Sequence, residues 1–185
     1  NRVKASLVVL HLGSIEMKDY NDKMLSMLEH GEQNTPKYQK LCQEIEEKRE
    51  SKKEEYFERV KESIKRLLPE AEQRGLRLGA ENRQAIEELP LDGDFYFMFR
   101  EISSPNFVYW HDTGHAQIKE HLGFIHHRMH LESLKERLAG FHIHDVQYPG
   151  KDHCPPGTGT IDFAGLKPFV QPGHLRVLEL SPSLT

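Results

Sequence analysis

Five potential metal ligands recur along the sequence, each at the end of a short apolar run. They are His11, Glu81, Asp112, His142 and Glu179. The last four lie 30 to 37 residues apart, close to the roughly 30 residues of one strand–helix–strand unit. Imidazole and carboxylate ligands together suit a divalent ion such as Zn²⁺ or Mn²⁺, with Co²⁺ and Mg²⁺ as further candidates. The pattern therefore predicts a metal centre at which two carboxylates could also carry protons.

Each of these residues also has an ordinary structural interpretation. A single Asp or Glu after a strand is more often the N-cap of a helix, and Asp112 before Thr113 and Gly114 fits that role. His142 alternates with apolar neighbours, so it could line a barrel and bond a backbone group. Independent caps would not include two histidines at one common period. The five residues taken together therefore favour a shared metal site.

Further histidines lie close enough in sequence to reach the same pocket. His115 follows Asp112 by one turn of a helix, and His153 lies on a later loop that could fold over the pocket. Strand alternation points His144 to the same face as the histidine two residues before it. His111, by contrast, points away from its acidic neighbour and is expected to pack.

The elements that must position these residues are strands and helices in alternation. Charged, helix-prone segments separate the five apolar runs, which predicts a parallel sheet. In a parallel β/α barrel all strands end on one face, so residues at successive strand ends converge on one pocket. The predicted strands are residues 7–10, 76–79, 107–110, 140–143 and 176–178.

Two helices are predicted between these strands. Apolar residues at 3.6-residue spacing predict one long amphipathic helix over about 38–74, with its charged residues on a solvated face. A second helix is predicted over 118–138. It contains His126 and His130 one turn apart, but no carboxylate or thiol completes a metal site there.

Composition excludes several classes of protein. The 185 residues carry 25 Lys and Arg against 29 Asp and Glu, a formal net charge of −4. No apolar run approaches the roughly 20 residues of a membrane span, and the acidic balance argues against nucleic-acid binding through net charge. The two thiols, Cys42 and Cys154, form no metal or disulfide pattern. These features predict a protein of the reducing cytoplasm.

The segments around these residues resemble the xylose isomerase-like TIM-barrel superfamily of the AP endonuclease family 2 type. That superfamily includes sugar epimerases, inosose dehydratases, hydroxypyruvate isomerases and, more distantly, endonuclease IV. The pairing of Asp-Thr-Gly-His-Ala with Gly-x-Gly-x-Ile-Asp-Phe is fairly specific. The matching segments are 9–14, 79–82, 112–116, 141–145, 157–163 and 178–179.

The resemblance implies a (β/α)8 TIM barrel with a catalytic divalent metal. It implies that Glu81, Asp112, His142 and Glu179 bind the metal, while His115 contacts substrate or a further metal. It also implies that the two glutamates exchange protons with the substrate on opposite faces. The expected function is a metal-dependent isomerase or epimerase of carbohydrate metabolism, acting on a sugar or a related small polyhydroxy carbonyl compound.

Two alternatives remain open. In the endonuclease IV branch, which carries three zinc ions, the resemblance assigns His11 and His153 to ligand positions, whereas Lys151 stands where a carboxylate ligand is expected. The segment Glu81-Asn82-Arg83 and the net acidity favour the isomerase class. The other alternative is a non-catalytic barrel remnant that retains a metal site.

The strand count predicts an incomplete barrel. A full TIM barrel has about 250 residues, and the five strands found here resemble the third to seventh of the family. Residues 1–185 are therefore expected to be a single domain lacking strands one, two and eight. Such a chain is a fragment, or partner chains complete it in a homo-oligomer.

Overall fold

Five parallel strands form the central sheet of the computed structural model, which describes residues 4–182. The structure has these five strands and two more outside the sheet, and in chain order they are β1 Leu7–Leu10, β2 Arg77–Glu81, β3 Phe107–Asp112, β4 Leu138–Ile143, β5 Asp145–Gln147, β6 Lys151–Cys154 and β7 Leu175–Leu178. The sheet order is β1-β2-β3-β4-β7, and each neighbouring pair is parallel. β5 and β6 form a separate antiparallel hairpin. The five predicted strands are confirmed, and the curled sheet is part of a TIM barrel that is open between β1 and β7.

Helices connect the parallel strands. They are α1 Asn21–Glu29, α2 Pro36–Gln73, α3 Asp94–Glu101, α4 Thr113–His121, α5 His127–Leu134 and α6 Phe163–Leu166. Of the helices within residues 4–182, none combines the length and the apolar character that crossing a bilayer would require.

The long helix α2 agrees with the prediction. It begins at Pro36, directly after Thr35, whose hydroxyl accepts a hydrogen bond from the backbone N–H of Tyr38. One face is buried along its whole length, and the charged residues lie on the exposed side except Arg49 and Lys61, which are buried in ion pairs. The buried apolar positions are Tyr38, Leu41, Ile45, Phe57, Val60, Ile64, Leu68 and Ala71.

The prediction of a single helix over 118–138 is wrong, because two helices occupy this region. Gly123 follows the end of α4 with φ +84°, a left-handed conformation that commonly stops a helix. In addition, α4 starts earlier than predicted, since the Asp112 carboxylate caps it by accepting the His115 backbone N–H at 2.7 Å. Asp112, one of the predicted metal ligands, is thus also the N-cap of α4.

Strand β3 separates the helix layer from the concave face of the sheet. Tyr109 packs on the helix side, against Phe95 of α3 and His130 of α5. Trp110 points to the other side, where a Cβ on Gly140 would lie 2.4 Å from its ring. Glycine at that position leaves the space that the indole fills. β3 is buried at every position, whereas β7 is exposed at every position.

Candidate metal centre

Three carboxylates surround one ring nitrogen of His142 at the carboxyl edge of the sheet. Its Nδ1 lies 2.5 Å from Glu81 Oε1, 3.3 Å from Glu179 Oε2 and 3.9 Å from Asp112 Oδ2. Ligand atoms of Glu81, Asp112 and His142 all lie within 4.8 Å of one another, and a cation there would offset the repulsion between the two carboxylates. These four side chains therefore fit a divalent ion with one nitrogen and several oxygen ligands.

Strand register accounts for the convergence. Asp112 and His142 are direct partners in the β3–β4 ladder, and Glu81 ends the neighbouring strand β2. Glu179 follows β7, and its backbone N–H donates to the carbonyl of Ile143 at 3.2 Å. Because parallel strands end at the same edge, a regular spacing in sequence becomes proximity in space.

Glu81 is enclosed, with 1% of its side chain exposed. Its Oε2 lies 2.8 Å from His11 Nε2 and accepts a hydrogen bond from Arg83 Nη1 at 3.0 Å. Burial alone would raise the pKa of Glu81, but the hydrogen bond with His142 lowers that pKa overall. Glu81 is therefore a carboxylate, and the structure places His11 beside it.

Asp112 is the N-cap of α4 and lies among the predicted metal ligands. Its Oδ1 caps α4 through the His115 backbone N–H, and its Oδ2 faces His142. His144 Nε2 lies 3.0 Å from Oδ1. Burial would raise the pKa of Asp112, but the nearby His115 and His144 lower it overall. The carboxylate is thus ionised, and contacts with the His115 backbone and the His144 ring fix its position.

His115 lies beside Asp112, with Nδ1 3.6 Å from the Asp112 Oδ1. The same nitrogen is 3.0 Å from the backbone carbonyl of Asn82. A carbonyl can only accept, so Nδ1 carries the proton and Nε2 is the nitrogen left to contact a ligand. Burial lowers the pKa of His115 overall, even though the charge of Asp112 acts in the opposite direction.

The β5–β6 hairpin, which the sequence analysis did not predict, brings His153 to the site. His153 Nε2 lies 3.9 Å from Glu179 Oε1. Its ring stacks on His144 with centroids 4.2 Å apart, and its backbone N–H donates to His144 Nδ1 at 2.9 Å. A Cβ on Gly114 would lie only 1.9 Å from the His144 ring, so the position of His144 depends on a glycine there.

Side chains able to hold an ion form three overlapping groups within residues 4–182. The groups are Glu81, Asp112 and His142; Asp112, His115 and His144; and His144, His153 and Glu179. Both ring nitrogens of His144 already have partners, namely Asp112 and the His153 backbone. The first group holds three of the four predicted ligands, and the fourth, Glu179, lies 3.3 Å from His142 Nδ1 but is grouped with His144 and His153.

Ion binding at this site should weaken as the pH falls. Burial lowers the pKa of His142, but the hydrogen bond with Glu81 and the surrounding negative charges raise it overall. An ion can occupy Nδ1 only after its proton has left. We therefore expect full affinity above this raised pKa and progressive loss of affinity as the pH drops through it. Calorimetric titration with Co²⁺ at several pH values measures this effect, and a pH-independent affinity would contradict it.

Two predicted non-ligands lie away from the site. The side chain of His126 is 64% exposed, whereas His130 is buried and its Nε2 lies 3.0 Å from the Tyr109 hydroxyl. The Sγ of buried Cys154 donates to backbone carbonyls of its own hairpin. None of these side chains belongs to an ion-binding group among the described residues.

Sequence reasoning missed a buried hydrogen-bonded cluster behind β3. His111 does pack on the helix side, but its Nδ1 lies 2.8 Å from the Tyr109 hydroxyl and its Nε2 2.9 Å from His127 Nε2. Burial lowers the pKa of His127 to about 3 and that of His130 to about 4, so both are neutral near pH 7. The signal in the sequence was the alternation of Tyr109 with His111 on one face of a strand.

Comparisons with known proteins agree with this architecture. A family profile described as xylose isomerase-like TIM barrel matches residues 7–171. A solved D-tagatose 3-epimerase-like protein is 17% identical with a TM-score of 0.64, and the match covers 97% of this chain and 58% of that one. A D-allulose 3-epimerase from Methylomonas sp. is 21% identical with a TM-score of 0.53, covering 71% of this chain and 46% of that one.

A third solved structure, a D-psicose 3-epimerase with D-tagatose from Clostridium cellulolyticum H10, is 17% identical with a TM-score of 0.53. That match covers 68% of this chain and 42% of the epimerase. The chain thus spans about half the length of the structures that it matches. No curated protein matches it significantly.

Proposed function

Because this chain belongs to the xylose isomerase-like TIM-barrel family, we propose that it carries the metal centre of a divalent-metal-dependent isomerase or epimerase. The proposed substrate is a sugar or a related small polyhydroxy carbonyl compound. The observation that carries the proposal is the convergence of three carboxylates on one nitrogen of His142. The proposed metal ligands are Glu81, Asp112, His142 and Glu179.

The proposed reaction moves a proton to and from the carbon next to a carbonyl group. A bound divalent ion supplies positive charge that polarises substrate oxygens and lowers the cost of removing this proton. Glu179 removes it, since 44% of its side chain is exposed to an incoming ligand. The removed proton stays on Glu179, and Glu81 would give a proton to the opposite face of the same carbon. Glu81, which His142 and Arg83 hold as a buried carboxylate before substrate binds, must therefore be protonated at that step.

His115 is the third proposed catalytic residue. Its Nδ1 is occupied by the Asn82 carbonyl, so Nε2 is available to orient a substrate hydroxyl. Since burial favours the neutral ring, this nitrogen can accept a hydrogen bond. In that role His115 fixes the orientation of the substrate relative to the two glutamates.

A second candidate function is phosphodiester cleavage at abasic sites, as in endonuclease IV. It is supported by His11, which lies 2.8 Å from Glu81, and by His153, which lies 3.9 Å from Glu179. Histidines at these two positions would supply ligands for further metal ions. The formal net charge of −4 counts against a nucleic-acid substrate.

Solvent-deuterium exchange tests the isomerase proposal. Ketoses, inososes and hydroxypyruvate are incubated with the metal-loaded protein in D₂O, and deuterium next to the carbonyl is measured by NMR. We expect incorporation with at least one substrate, and a loss of about 100-fold or more in Glu179→Gln. Glu132→Gln, an exposed glutamate on α5, is the matched control and should retain exchange.

Two other outcomes would contradict the isomerase proposal and assign a different function. Cleavage of abasic-site DNA without any deuterium exchange would replace the isomerase proposal with the nuclease. Tight metal binding without exchange or cleavage would favour a non-catalytic metal-binding barrel.

A further inference from the structure

The side chain of Asn82 holds the backbone of a proposed metal ligand from both sides. Asn82 is 1% exposed and directly follows β2. Its Oδ1 accepts the backbone N–H of Asp112 at 2.7 Å, and its Nδ2 donates to the backbone carbonyl of Asp112 at 2.9 Å. Only the amide oxygen can accept and only the nitrogen can donate, so this pair of bonds determines the amide orientation.

The backbone of Asn82 orients a second residue of the site. Its carbonyl accepts the hydrogen bond from His115 Nδ1 at 3.0 Å. A rotation of the segment after β2 would therefore disturb both Asp112 and His115. Asn82 is not among the proposed ligands. It nevertheless orients Asp112 and His115, which are proposed to contact the ion or the substrate.

A buried layer behind the sheet holds Asn82 in turn. The Tyr109 hydroxyl donates to Asn82 Oδ1 at 3.0 Å. The oxygen of this hydroxyl group lies 2.8 Å from His111 Nδ1 and 3.0 Å from His130 Nε2. Asn82 Oδ1 can only accept, so the single hydroxyl proton points to it. Both histidine nitrogens lie within hydrogen-bond distance of the Tyr109 oxygen and fix its position.

We propose that Asn82 and Tyr109 are positioning residues of the metal centre. His111 and His130 orient Tyr109, Tyr109 locks Asn82, and Asn82 locks Asp112 and His115. The inference rests on the proposed function in assuming an ion at the carboxyl edge of the sheet. The chain of bonds acts by orientation and not by proton transfer, because the Asn82 amide neither takes up nor releases a proton near neutral pH.

Cobalt binding to the 185-residue chain tests the inference without any substrate. Co²⁺ alone is titrated by calorimetry, and the visible absorption spectrum reports its coordination geometry. We expect Tyr109→Phe to weaken Co²⁺ binding by about 10-fold and to alter the spectrum, since partners behind metal ligands typically contribute 10- to 100-fold. Asn82→Asp, which loses the donor to Asp112, should weaken binding by about 100-fold.

The control is Phe107→Leu, a fully buried residue at the opposite end of β3. It removes packing from the same strand and should leave the Co²⁺ affinity and spectrum unchanged. Wild-type affinity and spectrum in both Asn82→Asp and Tyr109→Phe would overturn the inference. If Tyr109→Phe does not fold, Asn82→Asp decides the question.

The two proposals fail in different ways. Co²⁺ binding that depends on Tyr109 and Asn82, without deuterium exchange on any sugar, would support the positioning role and overturn the isomerase. Deuterium exchange together with unchanged Co²⁺ binding in both variants would do the reverse. An unaltered chain that binds no Co²⁺ would overturn both.

Discussion

Replacing His142 by Ala and Glu179 by Gln together should remove stoichiometric divalent metal from the protein. The double variant loses two of four proposed ligands, and the buried carboxylates of Glu81 and Asp112 are left close together. We expect the affinity for Zn²⁺ or Mn²⁺ to fall by more than about 100-fold, beyond the range for residues that only support a ligand. Elemental analysis of chelator-treated, reloaded protein for Zn, Mn, Co and Mg measures the loss.

The exposed residue His126 provides the control for this experiment. It is a histidine outside every ion-binding group of the described chain, so His126→Ala should keep the wild-type metal content. Equal metal content in the double variant and in the unaltered protein would contradict the assigned ligand set. Loss of metal in both variants would mean instead that the metal binds non-specifically to surface histidines.

The variant Asp145→Ala should lose about 3 to 5 kcal/mol of the free energy of unfolding. Asp145 is fully buried and is the first residue of β5. Its carboxylate accepts four backbone N–H groups, those of Val146, Gly157, Gly159 and Ile161, at 2.8 to 3.1 Å. Alanine leaves these donors without an acceptor in a part of the fold that water reaches poorly. Denaturant unfolding followed by circular dichroism measures the change.

Asp162→Ala is the matched control, because it removes a carboxylate that accepts one backbone N–H, that of Gly165. We expect it to cost about 1 kcal/mol. Burial would raise the pKa of Asp145, but the four N–H donors lower it overall. Its stabilising contribution is therefore complete above the unfolded pKa of about 4 and is lost as the pH falls through the lower folded pKa. Equal costs for the two variants would refute this account.

The central sheet was predictable because its pattern is local and repeated. Each strand is a short apolar run, and a polar residue with metal-binding chemistry ends it, as Glu81 and Asp112 do. Because the strands are parallel, residues that recur at this spacing in the sequence all lie at the carboxyl edge of the sheet. The proximity of His142 to three carboxylates therefore agrees with the sequence analysis, although the choice of metal and substrate is not contained in that period.

The features that were missed depend on contacts between distant residues. Strands β5 and β6 have only three and four residues. Strands this short give no clear alternating pattern. Gly123 was not recognised as a helix end because apolar spacing continues beyond it. The bonds from Asn82 to Asp112 and to Tyr109 span about 30 positions, so no local pattern could indicate them.

Glu179 differs from the other proposed ligands in the strand that carries it. Glu81 and Asp112 end strands that are almost wholly buried, whereas every residue of β7 is exposed. Local opening requires the least free energy where few buried contacts must break. An ion bound by all four residues would join β7 to the buried strands of the sheet, so part of its binding free energy would appear as order at this edge. Glu179 is thus the proposed ligand whose position the ion itself would do most to fix.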